Sequence, residues 1–263
     1  MSVATPAASA LTLLGTGTSM GVPMIGCDCA VCMSTDPHNK RTRAGALVSG
    51  VEGNFLIDTP PELRLQLIRE RVELVGAVIF THAHADHILG LDDLRIFGYK
   101  LKRPVLLYCE PEVEQTLRSM FAYAFQPRPA GDVHSRPQLE FVTIGLEPFE
   151  VQGTRVQPFR LLHGGTPVLG FRIGDVAYAT DCNEIPEESW PYLQDLDTLV
   201  LDALWEEPHA AHFSVSQAVE VIERVRPRRA FLTHVSHRLD YEATNARLPD
   251  NVELAYDGLR VEG

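Results

Sequence analysis

Four residues able to bind a metal stand within six positions in Thr81-His82-Ala83-His84-Ala85-Asp86-His87. Imidazole nitrogens combined with a carboxylate oxygen suit Zn²⁺, Mn²⁺ or Fe²⁺. The segment follows directly on the apolar run 77–80. A turn at that point can aim His82 and His84 at one spot and Asp86 and His87 at a neighbouring one. Two metals need more ligands, and the later chain places them the same way. His163 follows the β-like run 159–162, Asp181 follows 176–179, and His234 follows 230–233. One sheet edge could gather all of them. A second group, Cys27, Cys29 and Cys32, also lies within six residues, and thiols that close together suggest a metal of their own.

Elements must position these residues. Short, β-branched runs predict strands over 11–14, 46–49, 54–57, 77–80, 105–108, 140–144, 155–159, 169–173, 176–179, 198–201 and 230–232. Helical periodicity predicts helices over 61–69, 112–123 and 215–225, the last with Ser214 as N-cap. Strands interleaved with helices point to a layered α/β architecture. Pro127, Pro129, Gly131 and Pro137 mark an irregular loop over 126–138. Residues 1–10 read as a flexible tail, and 11–263 as one domain, since the ligands run from 82 to 234.

Composition bounds the function. Apolar residues are 45% of 263 and charged residues 22%, which is ordinary for a core-forming protein. A formal net charge of −12 disfavours non-specific binding to nucleic acid or to an anionic membrane. No apolar run approaches the ~18 residues of a membrane-crossing helix, and the start of the chain lacks the basic, then apolar, pattern of a signal peptide. A cytoplasmic protein is the expectation. Five cysteines, an odd number, argue against a secreted disulfide scaffold. Cys109 and Cys182 read as core or loop thiols, His38 and His134 as loop residues.

The HxHxDH motif at 82–87 with His163, Asp181 and His234 resembles the metallo-β-lactamase superfamily. The resemblance implies an α/β fold, an αββα sandwich with a two-metal site at one edge. By it, His82, His84 and His163 hold one metal, Asp86, His87 and His234 hold the other, and Asp181 bridges both. Asp58, ending the run 54–57, matches the superfamily's early Asp, which supports the ligand loop from behind. Relatives usually have Gly next; here Thr59-Pro60 follows. A fold of this kind hosts many reactions, so the substrate needs further signals.

The N-terminal run Gly15-Thr16-Gly17-Thr18-Ser19-Met20-Gly21-Val22-Pro23, the three cysteines and Thr233-His234-Val235-Ser236-His237 narrow the likeness. They resemble the phosphoribosyl cyclic phosphodiesterases of the carbon–phosphorus lyase pathway. That resemblance implies a structural Zn²⁺ on Cys27, Cys29, Cys32 and His237, beside two catalytic cations, Zn²⁺ or Mn²⁺. It also assigns His212 to the leaving oxygen, as proton donor. His209 stands close by. Arg95 could reach a phosphate, although a salt bridge within its own segment is the plainer expectation. The implied reaction is hydrolysis of a small phosphodiester, a cyclic ribose phosphate, by a metal-bound hydroxide that Asp86 helps to orient. The partner is then a small molecule, with neither nucleic acid nor membrane, and the related enzymes form homodimers. A tRNA 3′-processing endonuclease is the alternative. Its substrate arm is usually inserted between the positions of His163 and Asp181, which here lie only 18 apart. A non-catalytic metal-binding relative is the second alternative; the presence of every expected ligand argues against it.

Overall fold

A computed structural model describes residues 10–126 and 136–262. The chain enters with β1 (Ala10–Gly15), β2 (Gly45–Gly50), β3 (Gly53–Ile57), β4 (Ala77–Ile79), β5 (Val105–Cys109) and β6 (Leu139–Thr143). It continues with β7 (Phe149–Val151), β8 (Thr154–His163), β9 (Thr166–Ile173), β10 (Val176–Ala179), β11 (Thr198–Asp202), β12 (Arg229–Thr233), β13 (Val252–Leu254) and β14 (Arg260–Glu262). These form two seven-stranded sheets, ordered β14-β1-β2-β3-β4-β5-β6 and β13-β12-β11-β10-β9-β8-β7.

The sheets face each other across one apolar layer. Leu11, Val48, Phe55 and Ile79 from the first meet Val156, Phe171, Tyr178, Val200 and Phe231 from the second. Helices cover both outer faces. Leu63 and Leu67 of the helix Leu63–Arg69, Phe97 of Arg95–Leu101 and Leu117 of Pro111–Met120 pack on the first sheet. Val215, Ala218 and Ile222 of Val215–Val225 pack on the second. That helix starts on a capping box between Ser214 and Gln217, which satisfies two otherwise unpaired backbone donors. The result is an αββα sandwich, the expected architecture.

Direction matters more than strand count for the site. β3 runs parallel to β4, and β10, β11 and β12 run parallel to one another. β8 is antiparallel to β9, and β9 to β10, so β8 shares the direction of β10. The C-terminal ends of these strands therefore collect at one edge. A backbone bond from Leu169 N–H to the Thr81 carbonyl, 3.0 Å, ties the sheets together there.

All eleven expected strands coincide with observed ones. Three details differ. β1 already begins at Ala10, the last residue assigned to the tail; 1–9 fall outside the described residues. The helix expected over 112–123 ends at Met120, with a separate short turn at Ala122–Phe125. The strands β7, β13 and β14, three residues each, and the helix Arg95–Leu101 were not foreseen. Most of the loop over 126–138, with His134, lies outside the described residues. A Cβ on Gly15 would sit 2.0 Å from the Arg43 carbonyl oxygen, and one on Gly17 2.7 Å from that of Arg41, so these glycines serve close backbone approach.

Candidate metal centre

The strand-end residues converge as their spacing requires. Asp58 follows β3, His82 to His87 follow β4, His163 ends β8, Asp181 follows β10 and His234 follows β12. Three of them, Asp58, Asp181 and His234, adopt left-handed backbone with φ of 63°, 52° and 59°. Such geometry is uncommon outside glycine and clusters where function demands it. It turns each strand sharply and aims the side chain over the sheet edge. At the end of β3, Asp58 itself takes the turn and Thr59 N–H donates to the His87 carbonyl at 2.7 Å.

Two groups form around Asp181. His82, His84 and His163 face it on one side, Asp86, His87 and His234 on the other, and within each group the ligand atoms lie within 4.8 Å of one another. Asp181 Oδ2 is 3.8 Å from His82 Nε2, 4.0 Å from His163 Nε2 and 3.5 Å from His234 Nε2, while Oδ1 is 3.2 Å from His87 Nε2. Asp86 Oδ2 lies 3.5 Å from His87 Nε2 and 3.7 Å from His234 Nε2. Metal bonds of about 2.1 Å place tetrahedral ligand atoms ~3.4 Å apart, so these separations fit ions rather than direct hydrogen bonds.

The orphaned nitrogens make the same point. His82 Nε2, His87 Nε2 and His234 Nε2 are buried without a hydrogen-bond partner. Unpaired buried polar atoms are costly and need a reason. His234 Nδ1 has no partner either, but the Nδ1 atoms of His82, His87 and His163 are anchored. His82 Nδ1 pairs with Thr81 Oγ1 at 2.9 Å, His87 Nδ1 with Asp58 Oδ2 at 2.7 Å and His163 Nδ1 with the Ala211 carbonyl at 2.7 Å. Asp58 also accepts from Thr81 N–H at 2.8 Å. This is the outer support that metal-binding imidazoles generally have.

Charge is balanced accordingly. Burial works to lower the His87 pKa, but the carboxylates of Asp181 and Asp58 prevail and raise it well above the usual value. His234 is raised in the same way, against burial, chiefly by Asp181. Burial lowers His82, helped by His87. Burial opposes ionisation of Asp86, yet the neighbouring His234 and His87 rings hold its carboxyl far below the ordinary range. The centre thus calls for positive charge, which protons or divalent cations can supply.

Beside it, His212 Nδ1 pairs with Asp202 Oδ2 at 2.9 Å, and the ring stacks on His234 at 4.6 Å. Asp202 was missed from sequence. It ends β11 as Asp181 follows β10, the same signal of a carboxylate at a strand end. Cys27, Cys29, Cys32 and His237 also meet, with His237 Nδ1 3.3 Å from Cys27 Sγ and 3.4 Å from Cys29 Sγ. Backbone N–H groups of Met24 and Cys32 point at Cys32 Sγ and Cys29 Sγ, at 3.3 and 3.4 Å. The N–H of Cys32 and the nearby His237 lower the Cys29 thiol to about 6, whereas burial raises Cys32 to about 11. Cys109 and Cys182 are buried core thiols. Arg95 pairs with Asp92 at 2.8 Å, and His38 stacks on Tyr241 at 4.4 Å. Neither joins the centre.

A model of the beta-lactamase superfamily domain matches residues 53–235. Among solved structures, a diphosphatase from the PhnP family is 41% identical, with 97% of each chain covered and a TM-score of 0.91. Zinc-bound PqqB of Methylobacterium extorquens (20% identity, 96% of this chain and 99% of that one, TM-score 0.75) shares the fold. So does the short form of human tRNase Z (20%, 96% and 98%, TM-score 0.68). A protein of Porphyromonas gingivalis named octanoyltransferase is 35% identical over 251 residues, 94% of this chain but 50% of that protein, so the chain spans about half the length of this curated relative.

Proposed function

The chain belongs to the beta-lactamase superfamily and, within it, to the PhnP family, and on that premise we propose a two-metal phosphodiesterase acting on a small, cyclic ribose phosphate. One observation carries the reading: six His and Asp side chains converge on Asp181 with a hydrogen-bonded His212–Asp202 pair at their side. His82, His84 and His163 would hold one cation, Asp86, His87 and His234 the other, and Asp181 both. When bound, the cations would activate water and offset charge on the phosphoryl oxygens.

The chain's own groups do the rest. His212 gives a proton to the leaving oxygen from Nε2. Asp202, fully buried, accepts from Nδ1–H and so fixes the ring and stabilises its protonated form. Asp86, partly exposed, orients the nucleophile. Asp58 holds His87 from behind. Cys27, Cys29, Cys32 and His237 would bind a structural Zn²⁺; three thiolates and an imidazole complete a closed tetrahedral set.

The nuclease alternative is disfavoured by what fills 164–180. These residues form β9, β10 and two tight turns of the sheet, leaving no arm to grip RNA. No helix among the described residues is long and apolar enough to cross a membrane.

One preparation, loaded in turn with Zn²⁺ and Mn²⁺, should be assayed on ribose 1,2-cyclic phosphate, bis(p-nitrophenyl) phosphate, an octanoyl thioester and precursor tRNA. Phosphodiester hydrolysis with the cyclic ester preferred is expected. Trimming of tRNA with inert cyclic ester would promote the nuclease, and turnover of the thioester alone would sink both.

A further inference from the structure

Among the buried imidazoles of the centre, His234 is the exception. His82, His87 and His163 each pair Nδ1 with an oxygen, from Thr81, Asp58 and the Ala211 carbonyl. Neither ring nitrogen of His234 has a partner, although the residue is buried. A neutral imidazole that gives Nε2 to a cation carries its proton on Nδ1, and that N–H needs an acceptor.

A carboxylate stands beside it. Asp202 Oδ2 lies 2.9 Å from His212 Nδ1 and 3.9 Å from His234 Nδ1. Its other oxygen, Oδ1, is buried without a partner. The His212 and His234 rings are stacked, 4.6 Å apart and 13° from parallel, so both bring Nδ1 to the same carboxylate. Asp202 is fully buried, and among the described residues its ion-pair contacts are His212 and His234, with no Lys or Arg. A buried carboxylate needs compensation, and these two rings are what it has.

The backbone fixes this arrangement. Asp202 pairs in register with Thr233 on the parallel strand β12, one residue before His234. Ala203 N–H donates to the Thr233 carbonyl at 2.9 Å and Ser236 N–H to the Leu204 carbonyl at 3.0 Å. Leu204 N–H donates to the Phe213 carbonyl at 3.0 Å. The chain leaving Asp202 is therefore tied to the His234 segment on one side and to the His212 segment on the other.

We propose that Asp202 is a positioning residue shared by the proton donor and a metal ligand: it accepts from Nδ1–H of both His212 and His234, and so supports the cation held by Asp86, His87, His234 and Asp181 as well as His212. This rests on the two-metal reading. Closing 3.9 Å to a hydrogen bond of about 2.8 Å takes a shift of about 1 Å, and a turn of the carboxylate gives one oxygen to each ring. Asp202 then does for His234 what Asp58 does for His87. Asp58 supports one ring, whereas Asp202 ties a ligand to the group that serves the leaving oxygen.

The probe is Mn²⁺, a hard ion that suits carboxylate and imidazole better than thiolate. It is titrated into protein freed of its other catalytic metals and followed by electron paramagnetic resonance. Asp202→Ala should weaken one of the two Mn²⁺ by about 10- to 100-fold, the range for losing an outer partner, and leave the other nearly unchanged. His212→Ala should bind both like the parent, and adding Asp202→Ala to it should bring the full loss. Asp202→Asn has one acceptor oxygen for two donors. It should bind poorly in the parent background and recover once His212→Ala removes the competing ring. Parent-like binding in Asp202→Ala would overturn the proposal. So would a loss that disappears in the His212→Ala background, or an Asn variant that is no better without His212 than with it. Should the variants fold poorly, the zinc-loaded parent decides: ¹⁵N-histidine NMR should show a slowly exchanging, low-field Nδ1–H on His234, and a rapidly exchanging one refutes the bond to Asp202. These readouts use no substrate, so the proposal can fail while the phosphodiesterase reading stands. A parent that takes up no second cation at the His/Asp centre, Mn²⁺ or Zn²⁺, overturns both.

Discussion

Two clusters in this molecule have the composition of metal sites, and they are made in opposite ways. The His/Asp centre draws on strand ends from both sheets, over residues 82 to 234, and the Nε2 atoms of His82, His87 and His234 stand buried without partners. The Cys/His cluster draws three thiols from one short loop and His237 from far along the chain, with Cys27 and Cys29 partly exposed. The first is set by the strand ends of the sandwich; the second gathers a loop with a small apolar cluster of its own, Val22, Val31 and Cys32 with Met24, Cys27 and Cys29 against them. A carboxylate-rich centre suits chemistry, and a closed sulfur-rich set suits tethering. The two are three residues apart at His234 and His237. Arg41, fully buried and with its pKa drawn down to about 10 by that burial, brackets the link through the Ser236 and Leu239 carbonyls at 3.2 and 2.9 Å.

The largest effect should come from breaking the shared carboxylate. Asp181→Ala should abolish hydrolysis and cut bound metal from about three per chain towards one, since one side chain serves both proposed catalytic ions. Elemental analysis separates the clusters: the remaining metal should be zinc. A variant that keeps all its metal would show that Asp181 is no bridge. Next in size, His212→Ala should leave metal content intact and slow turnover by roughly 10²–10⁴-fold, as for loss of a general acid. Asp202→Asn should cost less, about 10–100-fold, as an outer partner does. A pH–rate profile whose basic limb moves in Asp202→Asn is the signature of a carboxylate acting through His212.

Much of this contrast was legible because both clusters use rare residue types at tight spacing. His82 to His87 announce themselves beside an apolar strand, and so do Cys27 to Cys32 within a loop. Asp202 did not, although it ends β11 as predictably as Asp181 follows β10. A single carboxylate with no ligand near it in sequence carries no spacing signal, and its partner His212 is ten residues away. The left-handed turns at Asp58, Asp181 and His234 were equally hidden, for no glycine marks them. Of the fold, the central strands were readable from β-branched runs. The three-residue strands β7, β13 and β14 are too short for alternation to emerge and owe their existence to pairing with longer neighbours.

The thiol cluster offers a smaller effect of a different kind. Cys29→Ser should remove one zinc per chain and lower Tm by ~5–10 °C, because metal binding is linked to folding and a domain of this size loses about 2–4 °C per kcal/mol. The His/Asp centre should keep its metals. Unchanged melting with full metal content would refute a structural zinc.

The smallest effect separates the clusters by pH. In metal-free protein, His87 and His234 carry pKa values raised by Asp181 and its neighbours. A histidine raised on folding contributes stability that is complete below its unfolded pKa of about 6.5 and is lost as pH rises through the folded value. Asp181, held well below the ordinary carboxylate range chiefly by His234 and His87 despite its burial, contributes stability present above about 4 and lost as pH falls through its folded value. Metal-free protein should therefore melt highest between about pH 4 and 6.5 and decline above. Cations bind in place of those protons, so the metal-bound form gains as pH rises. The rise in Tm on adding Zn²⁺ or Mn²⁺ should grow between about pH 6 and 8 in the parent; in Asp181→Ala, whose thiol cluster still binds zinc, it should be smaller and change less with pH. A metal-induced shift that is flat with pH in the parent, or equally steep in the variant, would place the proton-linked metal binding at the cysteines instead.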